Sequence, residues 1–251
     1  PVKGFLNMKL FYKIYTLGCK VNQYDAGSLA AEFEQSGFIK VEKNADIAVI
    51  NSCAVTKTAM VKSGRMVKLA KKQNPKAKII LAGCWPRLNG VKVAGVDFII
   101  KDKNTIKAVK KILKKYLKAD DEKIKLSAAD RSRYFIKIQD GCEQYCTYCI
   151  IPYVRGKLKS RGEKEIICEI RKAVETGYKE IVLSGIHLGL YGKDNKNNLV
   201  SLIKKIIKIK DLGRVRLSSI EITEVSSEMI NLMAEEKKIC RHLHLPLQAG
   251  S

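Results

Sequence analysis

Three cysteines, Cys142, Cys146 and Cys149, fall within eight residues of "DGCEQYCTYCIIPYVRGKLKSR" (140–161), with three residues in the first gap and two in the second. A structural zinc site asks for four tetrahedral ligands and usually brings paired short arms, of which this stretch supplies one at most. A disulfide framework fits poorly too, because a chain of 251 residues with eight cysteines is long enough to fold without staples. Soft thiolates on a short loop select soft metals, and cubane iron–sulfur clusters are normally held by cysteines. Three thiolates leave one iron of such a cluster without a protein ligand, and an open iron is a place for a substrate or cofactor.

The elements that must position these residues follow from periodicity. The first part of the chain alternates β-rich runs with helical patterns: 9–18 then 23–37, 46–52 then 57–73, 77–83, and 96–100 then 104–118. That rhythm predicts an open parallel α/β sheet. A polar stretch, 119–133, reads as a linker between a first domain (1–118) and a second (134–251). In the second, strands are expected at 134–139, 178–185 and 214–219, with helices over 163–177, 199–209 and 226–236.

Three further cysteines each follow a predicted strand of the first domain: Cys19 after "YTLG", Cys53 after "VINS" and Cys84 after "ILAG". The carboxyl ends of parallel strands share one edge, where ligands bind, so three thiolates far apart in sequence can meet there. The bland alternative is three unrelated buried cysteines. Cys168 and Cys240 lie inside or near helical patterns and read as bystanders.

Composition bounds the function classes. Hydrophobic residues make up 46% of the chain, and there is no apolar run long enough to span a bilayer. The N-terminal "PVKGFLNM" lacks the pattern of a signal peptide, so a cytoplasmic, reducing location is expected, without membrane partners. Forty-eight Lys and Arg against 25 Asp and Glu give a net charge of +23, which favours polyanions such as RNA. Much of it is lysine along amphipathic helices, as in 107–118 and 202–210, where a solvated face is the ordinary role.

The spacing of Cys142, Cys146 and Cys149, with Tyr148 before the last, resembles the C-x-x-x-C-x-aromatic-C signature of radical S-adenosylmethionine (SAM) enzymes. Together with "TLGCKVNQYD", "NSCAVT", "LAGC", "LSGIHLGLYG", "RLSSIE" and "HLHLPLQAGS", in that order, nearly the whole chain is similar to the methylthiotransferases of that superfamily. "TLGCKVNQYD", "QDGC" and "GIHLGLYG" look like the branch that modifies N6-threonylcarbamoyladenosine beside the tRNA anticodon. The resemblance implies a Rossmann-like N-terminal domain followed by a partial radical SAM (β/α) barrel. It implies two [4Fe–4S] clusters, one on Cys142, Cys146 and Cys149 and one on Cys19, Cys53 and Cys84.

In such enzymes SAM chelates the open iron of the first cluster, and an electron cleaves it to methionine and a 5′-deoxyadenosyl radical. The radical takes hydrogen from adenine C2, sulfur associated with the second cluster is inserted, and a methyl group from another SAM completes the product. Tyr148, Gly185, Glu221, His244 and Gln248 are the implied SAM-contacting residues. Their plain structural alternatives are a strand-end turn for Gly185, a surface carboxylate for Glu221 and a core imidazole for His244. Arg155 and Arg161 are candidates for phosphate contact. Implied partners are tRNA, a small reducing protein such as a flavodoxin or ferredoxin, and a sulfur donor that the sequence does not identify. Rival readings are the same chemistry on isopentenyladenosine or a ribosomal protein, and a non-catalytic iron–sulfur protein for electron transfer or RNA binding.

Only about 120 residues follow the linker, roughly half to two-thirds of a six-unit barrel, and the small RNA-binding TRAM domain usual in the family does not appear. The sequence thus reads as a fragment of such an enzyme, with the residues before Met8 an upstream extension or expression remnant.

Overall fold

Strands β3 (Ile47–Ser52) and β4 (Lys78–Gly83) are apolar runs, buried at every position but Lys78. Such runs suit central parallel strands covered on both faces. A computed structural model describes residues 9–114, 132–248 and 250. The chain divides into two units, Pro1–Ser127 and Ala128–Ser251.

The first unit is a five-stranded parallel sheet. β1 (Phe11–Thr16), β2 (Ile39–Lys40), β3, β4 and β5 (Phe98–Ile99) take the order β2-β1-β3-β4-β5. Side chains alternate between its faces. Tyr12, Val49 and Ile80 pack with Leu29 and Phe33 of α1 (Lys20–Gln35) and with Val109 and Leu113 of α3 (Thr105–Leu113). Tyr15, Ile50 and Leu81 pack on the other face with Val67 and Ala70 of α2 (Lys57–Gln73). Thr56 caps α2 by accepting the Ala59 N–H at 3.0 Å, and Asn104 caps α3 through Lys107. Cys19 occupies the N-cap of α1 and makes no side-chain capping bond. The two-residue strand β2 has no counterpart among the sequence-based strands.

The second unit carries β6 (Arg133–Lys137), the hairpin β7 (Gln139–Asp140) with β8 (Lys159–Ser160), and between them α4 (Ile151–Arg155). α5 (Glu163–Glu175), β9 (Glu180–Ser184), α6 (Leu199–Ile206), β10 (Arg214–Leu217) and α7 (Ser227–Glu235) follow. β6, β9 and β10 form a parallel sheet with β9 in the middle. Single parallel bridges, Val215 to Ile239 and Ser219 to His244, carry the pattern past β10. The expected strand over 134–139 is divided here: β6 begins at Arg133 and β7 takes Gln139, which faces Ser160. Residues 119–131 of the expected linker, and 115–118 of the expected helix, lie outside the described residues.

Two ion-pair systems brace this unit. Glu180, the first residue of β9 and largely buried, accepts from Arg214 at 2.6 Å and Arg216 at 3.0 Å, with Arg133 3.2 Å away. Arg133 and Arg214 are its cross-strand neighbours in register, so one carboxylate ties three strands at their amino ends. Burial pushes the Glu180 carboxyl up, but the arginines outweigh it and hold it below the usual glutamate range. The second system is Asp140 with Arg155 at 3.1 Å and Lys137 at 2.9 Å. Burial raises the Asp140 pKa, and Arg155 and Lys137 together bring it below normal.

A group with a depressed folded-state pKa contributes stability above its unfolded pKa and loses it as pH falls through the folded one. Glu180→Gln is therefore expected to lower unfolding stability by about 2 kcal/mol near neutral pH. The gap to the parent should shrink as pH falls below about 4, measured by urea denaturation across the pH range.

Candidate functional site

In the first unit, Cys19, Cys53 and Cys84 follow the carboxyl ends of β1, β3 and β4, which are adjacent in the sheet. Parallel pairing runs past the strand ends, from Leu17 N–H to the Asn51 carbonyl and from Cys84 N–H to the Ser52 carbonyl, both at 3.0 Å. The three thiols are thus delivered along one edge, at strand spacings of about 4.8 Å. Cys53 and Cys84 are buried and Cys19 is exposed. Gly18 lies against Cys53, since a Cβ on it would sit 3.2 Å from the Cys53 sulfur.

A buried asparagine, not singled out by the sequence reading, joins these ends. Asn22, in the first turn of α1, donates Nδ2 to the carbonyls of Leu17 at 2.8 Å and Ser52 at 3.0 Å. Its own carbonyl accepts from Asn51 at 2.7 Å, and its Oδ1 lies 4.0 Å from the Cys84 sulfur. One side chain therefore satisfies loop groups at two strand ends and reaches the third, which a buried polar group must do to avoid its desolvation cost. Ser63, fully buried on α2, touches the Cys53 backbone from the other side, its Oγ 3.3 Å from the Cys53 nitrogen.

In the second unit the Cys142, Cys146 and Cys149 loop follows β6 and β7. Cys142 is buried, Cys149 half-buried and Cys146 exposed. The loop is held by Cys142 N–H to the Gly156 carbonyl at 3.0 Å and Cys149 N–H to the Cys146 carbonyl at 2.9 Å. Gln139, fully buried, donates to the carbonyls of Asp140 and Gly141 and accepts the His187 N–H at 2.8 Å, locking the start of this loop to the loop after β9. Burial pushes the Cys142 thiol up, and the neighbouring Cys149, Cys146 and Glu224 push it further, against a backbone hydrogen bond from Gln144 that lowers it.

Of the expected SAM-contacting residues, three converge. Tyr148 donates its hydroxyl to Gln248 Oε1 at 2.6 Å, and Gln248 Nε2 donates to the Glu221 carboxylate at 3.1 Å. Gly185 lies directly after β9 against Gln139, and a Cβ there would fall 2.9 Å from Gln139 Oε1. His244 is exposed and hydrogen-bonded to Ser219 at 2.7 Å, so the core-imidazole alternative is wrong: the segment after the Ser219 bridge runs along the surface edge. The phosphate-contact expectation for Arg155 and Arg161 is also corrected. Arg155 is buried against Asp140, and Arg161 is taken up by Glu165, Glu169 and the Lys137 carbonyl. Both guanidiniums serve the hairpin and α5.

Sequence reading missed His187 and Glu224. The Cys142 sulfur is 3.4 Å from His187 Nδ1, and His187 Nε2 is 2.6 Å from Glu224 Oε1, whose other oxygen is buried without a hydrogen-bonding partner. His187 sat in view inside "GIHLGLYG", but nothing local tied it to a thiol 45 residues away. Cys168 is exposed on α5 and Cys240 is buried beside Val215. None of the eight cysteines is in a disulfide. Among the described residues, no three Cys, His, Asp or Glu side chains are grouped to hold a metal ion.

Two family models match the chain, that of the uncharacterized protein family UPF0004 over residues 11–100 and that of the radical SAM superfamily over 136–251. The chain is 36% identical to the threonylcarbamoyladenosine tRNA methylthiotransferase MtaB of Bacillus subtilis, covering 94% of this chain and 57% of that protein. The Aquifex aeolicus protein of the same name is 37% identical, over 94% and 62%. The tRNA-2-methylthio-N(6)-dimethylallyladenosine synthase of Thermodesulfovibrio yellowstonii is also 37% identical, over 95% and 59%. The chain spans about three-fifths of the length of these curated relatives. Among solved structures, the radical SAM methyltransferase TsrM of Kitasatospora setae, with cobalamin and a [4Fe-4S] cluster bound, matches at a TM-score of 0.63 and 10% identity, over 95% of this chain and 59% of that one. The fold is thus that of a radical SAM enzyme.

Gly83, at the end of β4, tests how tightly the thiol edge is built. Its φ is +92°, and a Cβ would fall 2.3 Å from the Ser52 carbonyl oxygen and 2.6 Å from the Ser52 nitrogen. Gly83→Ala should cost about 3 kcal/mol in unfolding stability, combining left-handed strain with displacement of backbone. Gly90→Ala, at φ +71° with nothing within 4 Å of its Cβ, should cost about 1 kcal/mol. Urea denaturation of both variants checks the difference.

Proposed function

The chain belongs to the radical SAM methylthiotransferase family, and from that premise we propose that it is part of a transferase converting N6-threonylcarbamoyladenosine beside the tRNA anticodon to its 2-methylthio derivative. The observation that carries the reading is the double set of three cysteines outside any disulfide, one set after the carboxyl ends of three adjacent parallel strands and the other on a single loop after β6 and β7. Cys142, Cys146 and Cys149 would hold one [4Fe–4S] cluster, and Cys19, Cys53 and Cys84 a second. The donor chemistry fits: three cysteine sulfurs share one short loop, and soft sulfur donors of this kind suit iron. Cys19, Cys53 and Cys84, one at each of three adjacent strand ends, would be the residues that hold the second cluster.

When bound, the clusters and SAM would supply reductive SAM cleavage, sulfur and the methyl group. The chain's own residues bind and orient. Tyr148, Gln248 and Glu221 form a hydrogen-bonded row of donors and acceptors for SAM, with Gly185 and His244 on neighbouring strand ends. Gln139 fixes the cysteine loop relative to the β9 end, so the SAM-facing groups and the thiols keep one register. The net charge of +23 suits a tRNA substrate. A small reducing protein, such as a flavodoxin or ferredoxin, would deliver electrons in the cytoplasm. Among the described residues, no helix is long and apolar enough to cross a membrane.

The substrate is tested by anaerobic reconstitution, incubation with SAM, dithionite and tRNAs bearing threonylcarbamoyl- or isopentenyl-adenosine, and mass spectrometry of the nucleosides. The expected product is 2-methylthio-N6-threonylcarbamoyladenosine alone. Methylthiolation only of isopentenyladenosine would move the chain to the other tRNA branch. Release of 5′-deoxyadenosine with no methylthio nucleoside would overturn the substrate class.

A further inference from the structure

The cysteine loop of the second unit carries two large aromatic side chains that the roles above do not use. Tyr145, just before Cys146, is 59% exposed, and Tyr153, on α4 just after Cys149, is 68% exposed. Their rings meet edge to face with centroids 6.3 Å apart. Tyr145 also holds a left-handed backbone, φ +48°, which residues with a side chain seldom adopt outside Asn and Asp. Tyr148, by contrast, is tied by its hydroxyl to Gln248.

Resting on the methylthiotransferase reading, we propose that Tyr145 and Tyr153 form a stacking platform for a nucleobase of single-stranded RNA next to the target adenosine. Three observations select this occupant. The surface is aromatic rather than aliphatic, and exposed rings offer faces to any unstacked base. The flanking exposed side chains Lys157 and Lys159 are basic, in a chain of net charge +23, while the carboxylate of Glu143 is turned to the Leu158 N–H. The pair brackets the thiols Cys146 and Cys149 in sequence, and an enzyme acting at a base edge must take that base out of its stack and leave its neighbours in need of new ones.

The test is anisotropy of a fluorescein-labelled anticodon stem-loop RNA, titrated with the anaerobically reconstituted chain and with Tyr145→Ala, Tyr153→Ala and the two Phe variants, at several salt concentrations. Each Ala variant should lose about tenfold in affinity, the Phe variants should bind like the parent, and the salt dependence should be unchanged because stacking releases no counterions. Equal affinity of parent and Ala variants overturns the platform and leaves the methylthiotransferase reading standing. A weaker salt dependence in the Ala variants also overturns it, by assigning the loss to phosphate contact. Loss of a self-associated state with RNA affinity intact would make the pair a surface for a second copy, against the inference. No RNA binding by the parent overturns both the platform and the tRNA reading. Iron content and melting temperature equal to the parent's show that an Ala variant is folded and loaded.

Discussion

Buried polar side chains at the carboxyl edges of two parallel sheets are the constraint on which the rest depends. A strand end leaves backbone donors and acceptors without a ladder partner, and a buried one must find them elsewhere. Asn22 supplies them in the first unit and Gln139 in the second. Each is at most 1% exposed, and each ties loops from different strands into one piece. The thiols ride on those loops, so their spacing is set by the sheet rather than by the flexible chain between them. The amino edge of the second sheet shows the complementary design, with Glu180 and its arginines serving stability where no chemistry is placed.

Thiols held at such an edge have a chemical consequence. Three soft sulfur donors share one short loop, a donor set matched to iron, while burial and the neighbouring thiols push the Cys142 pKa up, so iron binding there must displace its proton. The long-range pair His187 and Glu224 stands behind Cys142 and extends the polar shell inward from the loop. The first unit achieves an equivalent donor set by a different route, one thiol per strand, and Asn22 rather than a histidine–glutamate pair stands behind it.

Much of this was legible in the sequence because it is periodic or local. The helix read over 57–73 begins and ends where α2 does, since Thr56 caps its start and Asn74 closes its end by accepting the Ala45 N–H and donating back to the Ala70 carbonyl. Cysteines placed after strand-like runs announced their edge. Short elements were missed: β2 and the β7–β8 hairpin are too brief for a period, and α4 follows a cysteine loop that masks its pattern. Tertiary partners were missed as well. Nothing local separates an arginine that meets phosphate from Arg155, whose burial against Asp140 is a property of the hairpin's closure. The same holds for Asn22, which reads as a helix residue until strand ends 30 residues away come to meet it.

The central claim is that the chain carries two separate three-thiolate cluster sites, one per unit. Iron and acid-labile sulfide, measured after anaerobic reconstitution, test it most directly in the parent and in two triple variants, Cys142/Cys146/Cys149→Ala and Cys19/Cys53/Cys84→Ala. The account predicts about eight irons in the parent and about four in each variant. About four in the parent, with none left in the first variant and all retained in the second, would contradict it.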